Sequence, residues 1–263
     1  MSTALEPASQ RYERIGVGYS RLRREDPLIR ARLHAALGDA GTIVNVGAGA
    51  GSYEPGDRHV IAIEPSDVMA AQRPAQLAPA IRASAASLPL RDQSVDAAMA
   101  VLTIHHWDAE RERGVRELRR VARGPVVILT FDAAVFSQMW LIADYLPEVG
   151  ELDRRTMPAI NEVCGWLGGE TRVETVPVAR DTPDWTLASF WAHPERVLDA
   201  EARGATSGFA RMDPAVAKRV ERAVRHDLET GAWDRRHGPL RDLHEYDAGL
   251  RLLVNTPPTT EPR

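Results

Sequence analysis

The chain has 263 residues, of which 44% are hydrophobic, 27% charged and 6% aromatic. This profile predicts one soluble globular domain, or one domain with a large insertion. A formal net charge of −4 gives no electrostatic reason to bind nucleic acid or an anionic membrane, so neither partner is expected. The single cysteine, Cys164, excludes an internal disulfide and a cysteine-based metal cluster.

Apolar segments long enough for membrane insertion are not found in the sequence. No stretch approaches the ~18 to 20 apolar residues of a membrane span. The first twenty residues also contain no apolar region typical of a signal peptide. A reducing, cytoplasmic setting is therefore expected.

Strand-like apolar runs alternate with helical patterns through the first half of the chain. This alternation predicts an α/β fold with a parallel sheet. The first helix is predicted over residues 28–37. Strands are predicted, in chain order, at Thr42–Val46, His59–Ile63, Ile81–Ala83, Val95–Val101 and Pro125–Phe131.

The second half of the chain has a different pattern. Strands are predicted at Arg172–Val178 and at Ala248–Val254, and the long stretch between them has helical signals without a strand pattern. Its clearest helix start is Asp213 followed by Pro214, a helix-capping residue followed by a residue suited to the first helical position. We interpret this stretch as a helical insertion on the sheet.

A glycine cluster follows the first predicted strand, with the sequence Val46-Gly47-Ala48-Gly49-Ala50-Gly51. Glycines allow tight turns and let a ligand approach backbone N–H groups closely. The dinucleotide fingerprint G-x-G-x-x-G would place its third glycine at position 52, where Ser52 stands. Glu64 ends the next strand, where a carboxylate can accept hydrogen bonds from both hydroxyls of a ribose. Together, the loop and the acid predict an adenosine-containing cofactor.

The sequence at this point resembles the class I S-adenosylmethionine-dependent methyltransferases, specifically their small-molecule type-11 group. The resemblance covers residues 10–131 and is carried by the segments Val46–Gly51, Ile61–Ser66, Ala83–Asp96 and Val101–Trp107. It implies a doubly wound, mostly parallel seven-stranded sheet whose last strand, Ala248–Val254, is antiparallel. It also implies S-adenosyl-L-methionine as the cofactor and methyl transfer to an O, N or C atom of a small organic acceptor.

The resemblance assigns cofactor contacts to the matching positions, which are Gly47, Ala48, Gly49, Glu64, Pro65, Ser84, Ala85 and Thr103. It further implies a covering N-terminal segment, with Tyr12 and Tyr19 over the sulfonium region and Arg23 near the cofactor carboxylate. The alternative is that these three are ordinary residues of an N-terminal helix.

Two positions depart from the family pattern. Asn45 stands where many relatives have an acidic residue. Ser84 stands where many have an aspartate that accepts a hydrogen bond from the adenine amino group. These departures concern the affinity for the cofactor more than its identity.

The predicted division of the chain combines the pattern of elements with the family resemblance. It comprises an N-terminal helical cofactor cover over residues 1–40, a cofactor-binding α/β core over 41–180, a helical insertion or lid over 181–246, the final strand of the core over 247–256, and a disordered tail over 257–263.

Methyl transfer from a sulfonium is an in-line displacement, in which the protein chiefly aligns donor and acceptor. A general base helps only where the acceptor must lose a proton. His105 and His106 follow the fourth predicted strand, at the sheet edge where open α/β folds bind ligands, so they are the candidate bases. We expect His106 to face the substrate and His105 to contact the cofactor. No spaced cluster of ligands supports a metal site.

Aromatic residues after the fourth and fifth strands and in the insertion are the candidates for the acceptor pocket. They are Trp107, Phe136, Trp140, Trp185 and Trp191, each of which has a role in the core as its alternative. Such residues favour a planar or apolar acceptor. A catalytically silent module that binds S-adenosyl ligands and a nicotinamide-dependent oxidoreductase remain as alternative functions. The chain is expected to be a monomer or a homodimer.

Overall fold

Six strands form the central sheet of the computed structural model, which describes residues 24–257. The strands of this part of the chain are β1 (Thr42–Val46), β2 (His59–Ile63), β3 (Ala97–Val101), β4 (Val126–Phe131), β5 (Glu170–Thr175), β6 (Val178–Ala179), β7 (Glu245–Tyr246) and β8 (Leu250–Thr256). The sheet order is β2-β1-β3-β4-β8-β5, while β6 and β7 pair separately.

Strand directions confirm a mostly parallel α/β sheet with an antiparallel last strand. β2, β1, β3 and β4 pair in parallel, and β8 runs antiparallel to both β4 and β5. β3 and β4 are apolar and almost entirely buried, as expected for parallel strands covered on both faces.

The helices of the described residues are mostly short. They are α1 (Pro27–Ala36), α2 (Asp67–Ala70), α3 (Arg111–Val121), α4 (Ala133–Phe136), α5 (Pro147–Thr156), α6 (Ile160–Leu167), α7 (Ala200–Gly204), α8 (Ser207–Ala210), α9 (Pro214–Glu229) and α10 (Ala232–His237). A π-helical turn at Leu141–Tyr145 and several 3₁₀ turns complete the set. None of these helices has the length and apolar character needed to cross a membrane.

The expected seventh strand is absent from the sheet of the described residues. Ile81, at its predicted position, forms only an isolated bridge to Ile63. Two backbone hydrogen bonds hold it, from the Ile81 N–H to the Ala62 carbonyl and from the Glu64 N–H to the Ile81 carbonyl. Pro79, two residues before Ile81, lacks an N–H donor, which limits how far the ladder can extend on the N-terminal side of Ile81.

The strand predicted at Arg172–Val178 is instead two separate strands. β5 ends at Thr175, and β6 begins at Val178. Pro177 lies between them, and a proline cannot donate to a strand ladder. β6 then pairs with β7, so the two ends of the predicted insertion are joined by backbone hydrogen bonds.

The insertion shares a hydrophobic core with one face of the sheet. Its large buried side chains Phe190, Trp191 and Trp233 belong to the same apolar cluster as Leu129 and Leu252 of the sheet. A second cluster on the opposite face of the sheet includes α3 and α6. On α3, Val115, Leu118 and Val121 are buried, whereas the charged residues remain accessible to solvent.

Candidate active site

The carboxyl ends of β1, β2 and β3 open into a cavity of about 510 Å³, hereafter the first cavity. Its lining includes all the matching positions named for the cofactor: Gly47, Ala48, Gly49, Glu64, Pro65, Ser84, Ala85 and Thr103. Adjacent parallel strands end at the same edge of a sheet, so loops distant in sequence meet there. Tyr12, Tyr19 and Arg23 lie outside the described residues.

The loop after β1 depends on glycine at Gly47 for two reasons. Its φ is 70°, in the left-handed region that side chains disfavour. A Cβ at this position would lie 2.1 Å from Oγ1 of Thr103, which follows β3. The N–H groups of Gly47 and Ala48 both donate to the Ile63 carbonyl at 2.9 Å, which fixes the loop against the end of β2.

Glu64 connects the glycine loop to the start of α2. One carboxylate oxygen accepts from the Gly49 N–H at 2.8 Å, and the other accepts from the Ser66 N–H at 2.8 Å. Burial raises the pKa of Glu64, while the two backbone hydrogen bonds act in the opposite direction. An ionised carboxylate has about four acceptor positions, so this group retains capacity for ribose hydroxyls.

A buried ion pair lies behind the glycine loop and accounts for the unusual Asn45. The Asn45 amide donates to Glu54 at 2.9 Å, and Glu54 accepts two hydrogen bonds from Arg73, at 2.7 and 3.1 Å. The Arg73 and Glu54 side chains are only 3% and 1% exposed. Position 45, for which the family resemblance implies an acid, thus lies beside the carboxylate of Glu54.

The side-chain oxygen of Asn45 is a second polar feature of the first cavity. Asn45 lines this cavity, and its Oδ1 is buried without a hydrogen-bond donor from any residue of the described range 24–257. A buried acceptor of this kind suits a ligand that brings a donor. The ammonium group of a bound amino-acid moiety would supply one.

Sequence reasoning missed a carboxylate at the end of the cavity expected to hold adenine. The Ser84 hydroxyl donates to Glu110 at 3.4 Å, and both side chains line the first cavity. Glu110 thus brings a carboxylate from a different segment to the side of Ser84, the position for which the family resemblance implies an aspartate. The first cavity therefore offers acceptors suited to an ammonium, a ribose and an adenine, which together fit S-adenosyl-L-methionine.

Three residues of the first cavity adopt left-handed backbone conformations without being glycine. They are Tyr53, Leu102 and Asp108, with φ values of 67°, 52° and 47°. Such conformations cost of order 1–3 kcal/mol each and tend to concentrate at ligand sites.

A second cavity, of about 70 Å³, adjoins the first. Leu102 and His106 line both cavities. The other residues lining the second cavity are His105, Phe131, Phe136, Val149, Leu152, Asp153, Met157, Thr186, Leu187, Ala188, Thr206, Ser207, Gly208 and Arg211. The second cavity is thus formed by the end of the sheet, by α5 and by the insertion.

The two candidate bases lie on a 3₁₀ turn, Ile104–His106, directly after β3. The two histidine residues are each 7% exposed, and their ring centroids are 3.9 Å apart. His106 lies where the two cavities meet, whereas His105 lines the second cavity only. This places His105 beside the expected acceptor space rather than beside the expected cofactor space.

The five aromatic candidates for the acceptor pocket occupy different places. Trp107 lines the first cavity and Phe136 the second. Trp140 and Trp191 are buried in the core, where the Trp140 indole donates to the Trp191 carbonyl at 2.8 Å, and neither lines these two cavities. Trp185 also lines neither and lies 4.8 Å from the Arg196 guanidinium.

Asp153 is a further residue that sequence reasoning missed. It lies on α5 at 5% exposure and lines the second cavity. Burial raises its pKa to about 6, although the positive charge of Arg211 acts to lower it. The sequence does contain a signal for Asp153, because the helical period places this aspartate on the buried face of an amphipathic helix.

Metal ligands are not grouped in the described part of the chain. Within residues 24–257, no three or more His, Cys, Asp or Glu side chains are arranged to hold a metal ion. The fold and the first cavity together define an α/β protein with a crevice for an adenosine-containing cofactor.

Comparisons with known proteins identify the family. A family model described as a methyltransferase domain matches residues 44–128, which include the glycine loop, Glu64 and His106. A crystal structure from Anabaena variabilis ATCC 29413, described as a methyltransferase from an antibiotic biosynthesis pathway, is 30% identical in sequence. That match has a TM-score of 0.82 and covers 90% of this chain and 99% of the other.

Two more distant structures share the fold. An S-adenosylmethionine-dependent methyltransferase from Thermotoga maritima is 17% identical, with a TM-score of 0.55 and coverage of 94% of this chain and 98% of the other. The phosphoethanolamine N-methyltransferase 2 of Haemonchus contortus, in complex with phosphomonomethylethanolamine and S-adenosylhomocysteine, is 11% identical. Its TM-score is 0.56, and the match covers 97% of this chain and 61% of the other.

No match was found among the curated proteins. The similarity to the Anabaena structure extends over nearly the full length of both chains, and the family model covers the cofactor loop itself. The chain belongs to the class I S-adenosylmethionine-dependent methyltransferases. Its cofactor is S-adenosyl-L-methionine.

Proposed function

We propose that this enzyme transfers a methyl group from S-adenosyl-L-methionine in the first cavity to an O, N or C atom of a small organic acceptor in the second. One observation carries the proposal: the two cavities share Leu102 and His106. A donor and an acceptor bound on the two sides of this junction would be neighbours. In-line transfer requires this kind of alignment, and the cofactor supplies the methyl group.

The cofactor contacts follow the order of the loops around the first cavity. Glu64 would accept hydrogen bonds from the ribose hydroxyls, and Gly47, Ala48 and Gly49 would present backbone to the amino-acid portion. Pro65, Ser84 and Ala85 would surround the adenine, with Glu110 accepting from its amino group. Thr103 would complete the wall beneath the loop.

His106 is the proposed base for an acceptor that must lose a proton. It lies at the junction of the cavities, and imidazole titrates near neutral pH. His105 would contact the acceptor from the second cavity.

A small acceptor is supported by the size and walls of the second cavity. Its volume is about 70 Å³, and Phe136, Leu152 and Leu187 are among its apolar walls. The Anabaena relative is described as a member of an antibiotic biosynthesis pathway, which also favours a small organic acceptor. Nucleic acid and membrane partners are not proposed, and we expect a monomer or a homodimer.

Calorimetric titration with S-adenosylmethionine, S-adenosylhomocysteine and NAD is the first test. Micromolar binding of both S-adenosyl ligands without binding of NAD is expected. Acceptors are then screened by the formation of S-adenosylhomocysteine. Binding without turnover of any acceptor would favour a silent binding module, whereas binding of NAD alone would favour an oxidoreductase.

A further inference from the structure

Asp153 places a carboxylate where the sequence pattern of α5 calls for an apolar side chain. Its neighbours on the buried side of this helix are Val149, one turn before Asp153, and Leu152, the preceding residue. Thr156, three residues after Asp153, is buried as well. A charged group at such a position is costly unless it is paired or has a function. The energetic cost makes Asp153 a candidate for binding a ligand.

The Asp153 carboxylate is available to accept a hydrogen bond from a ligand in the second cavity. The pKa of Asp153 is raised by burial and lowered by the positive charge of Arg211. No hydrogen-bond donor from within residues 24–257 contributes to this pKa. The side chain lines the second cavity at 5% exposure. A ligand in this cavity can therefore supply the hydrogen bond that residues 24–257 do not.

We propose that Asp153 binds the methyl acceptor by accepting a hydrogen bond from a hydroxyl group, and that the acceptor is a compact, largely apolar molecule carrying that hydroxyl. This inference rests on the proposed function, because it assigns the second cavity to the acceptor. Asp153 would hold the hydroxyl while His106 faces the junction with the first cavity.

The charges around Asp153 favour a hydroxyl over an ammonium group. Arg211, His105 and His106 line the same cavity from the insertion and from the turn after β3. A cationic ligand would meet Arg211 as a like charge, whereas a neutral hydroxyl would not. A hydrogen bond to an ionised carboxylate is also about twice as strong as one between neutral groups.

The remaining walls of the second cavity determine the rest of the acceptor. Phe131 and Phe136 have ring centroids 5.1 Å apart, and Met157, Leu152 and Leu187 add aliphatic surface. Apolar surface of this kind suits a short hydrocarbon portion or a single ring. A ring would extend beyond the 70 Å³ of this cavity into the junction at Leu102 and His106. Phenol combines a ring with one hydroxyl and is the simplest probe.

The test compares three one-ring probes by ligand-observed NMR titration, with the protein saturated by S-adenosylhomocysteine. Phenol donates a hydrogen bond, anisole has a methyl in place of the hydroxyl hydrogen, and benzylamine is cationic at neutral pH. At pH 7.5 we expect phenol to bind at least fivefold more tightly than either of the others. Asp153→Asn should weaken phenol binding at least fivefold, whereas Glu151→Gln, a change on the exposed side of α5, should leave it unchanged.

Lowering the pH provides an independent measurement on the unaltered protein. At pH 5.0, below the Asp153 pKa of about 6, most of this carboxyl group carries a proton, so phenol affinity should fall towards that of Asp153→Asn. Anisole affinity is measured at the same two pH values. It controls for effects of His105 and His106, the other titratable groups in the cavity, on the binding of a ring without a hydroxyl hydrogen. This measurement decides the question even if the variant does not fold.

Three results would contradict the assignment of Asp153, the hydroxyl or the proposed function. Equal phenol affinity in Asp153→Asn, or no loss at pH 5.0, would remove Asp153 from acceptor binding. Tighter Asp153-dependent binding of benzylamine would overturn the hydroxyl assignment. Failure of S-adenosylhomocysteine to bind, with phenol still dependent on Asp153, would overturn the proposed function while leaving the binding site at Asp153 in place.

Discussion

Glu64 is the residue on which the cofactor site depends most directly. Its two carboxylate oxygens hold the N–H groups of Gly49 and Ser66, so its removal disturbs both loops as well as the proposed ribose contact. Glu64→Ala should weaken S-adenosylhomocysteine binding at least tenfold, or about 1.4 kcal/mol. Calorimetric titration measures this, with Glu112→Ala on the exposed face of α3 as the control. Unchanged affinity in a folded Glu64→Ala protein would contradict the assignment.

Glu110 should determine recognition of the adenine amino group. Its carboxylate accepts from Ser84 at 3.4 Å and lines the first cavity. The measurement compares S-adenosylhomocysteine with its inosine analogue, in which a carbonyl replaces the amino group. We expect the native protein to prefer the adenine form and Glu110→Ala to lose about threefold or more of that preference. Glu112→Ala should keep it, and an unchanged preference in Glu110→Ala would exclude the contact.

At the residue scale, sequence spacing predicts a site residue best when it lies directly at the end of a strand. Gly47, Glu64 and Thr103 each follow a strand, and all line the first cavity. Glu110 was missed because it reaches Ser84 across 26 residues through a 3₁₀ turn that has no sequence period. Asp153 was open to prediction from its position among buried residues of α5, but its role depends on a cavity that the fold creates.

The glycine loop is the element whose conformation the cofactor site requires. Gly47→Ala would place a Cβ 2.1 Å from the Thr103 hydroxyl oxygen, at a backbone φ of 70°. We expect at least a tenfold loss of S-adenosylhomocysteine affinity, because the loop must move away from β3. Gly56→Ala is the matched control, since a Cβ there meets nothing within 4 Å. Equal affinities of the two variants in calorimetric titration would contradict this reading of the loop.

Elements formed by local sequence were predicted more accurately than those formed by distant pairing. β1 and β2 have the predicted bounds, because each is a short apolar run that ends at a glycine or an acid. The third predicted strand is only a single bridge between Ile63 and Ile81, two residues after Pro79. β7 and its pairing with β6 were not predicted, because a two-residue strand has no period and these two strands are far apart in the chain.

For the molecule as a whole, the insertion and the sheet share one hydrophobic core, and the second cavity lies between them. Asp153 is thus buried among groups that contribute to global stability. Its pKa is about 6 in the folded protein, above the ordinary value of 3.8. The folded state therefore holds this proton more tightly than the unfolded state. The stabilisation from this difference is complete below pH 3.8 and is lost as the pH rises through 6.

Asp153→Asn removes this titration and should therefore stabilise the protein at pH 7.5. The difference between a pKa of 3.8 and one of about 6 corresponds to about 3 kcal/mol as an upper bound, so we expect a gain of about 1–3 kcal/mol over the native chain. The gain should shrink as the pH falls from 7.5 to 4, as measured by urea unfolding at each pH. His105 and His106, which line the same cavity, are present in both proteins. A difference in unfolding free energy that does not change with pH would contradict the burial of an ionised Asp153. A stabilised variant that binds phenol poorly would show that the native protein gives up stability for acceptor binding.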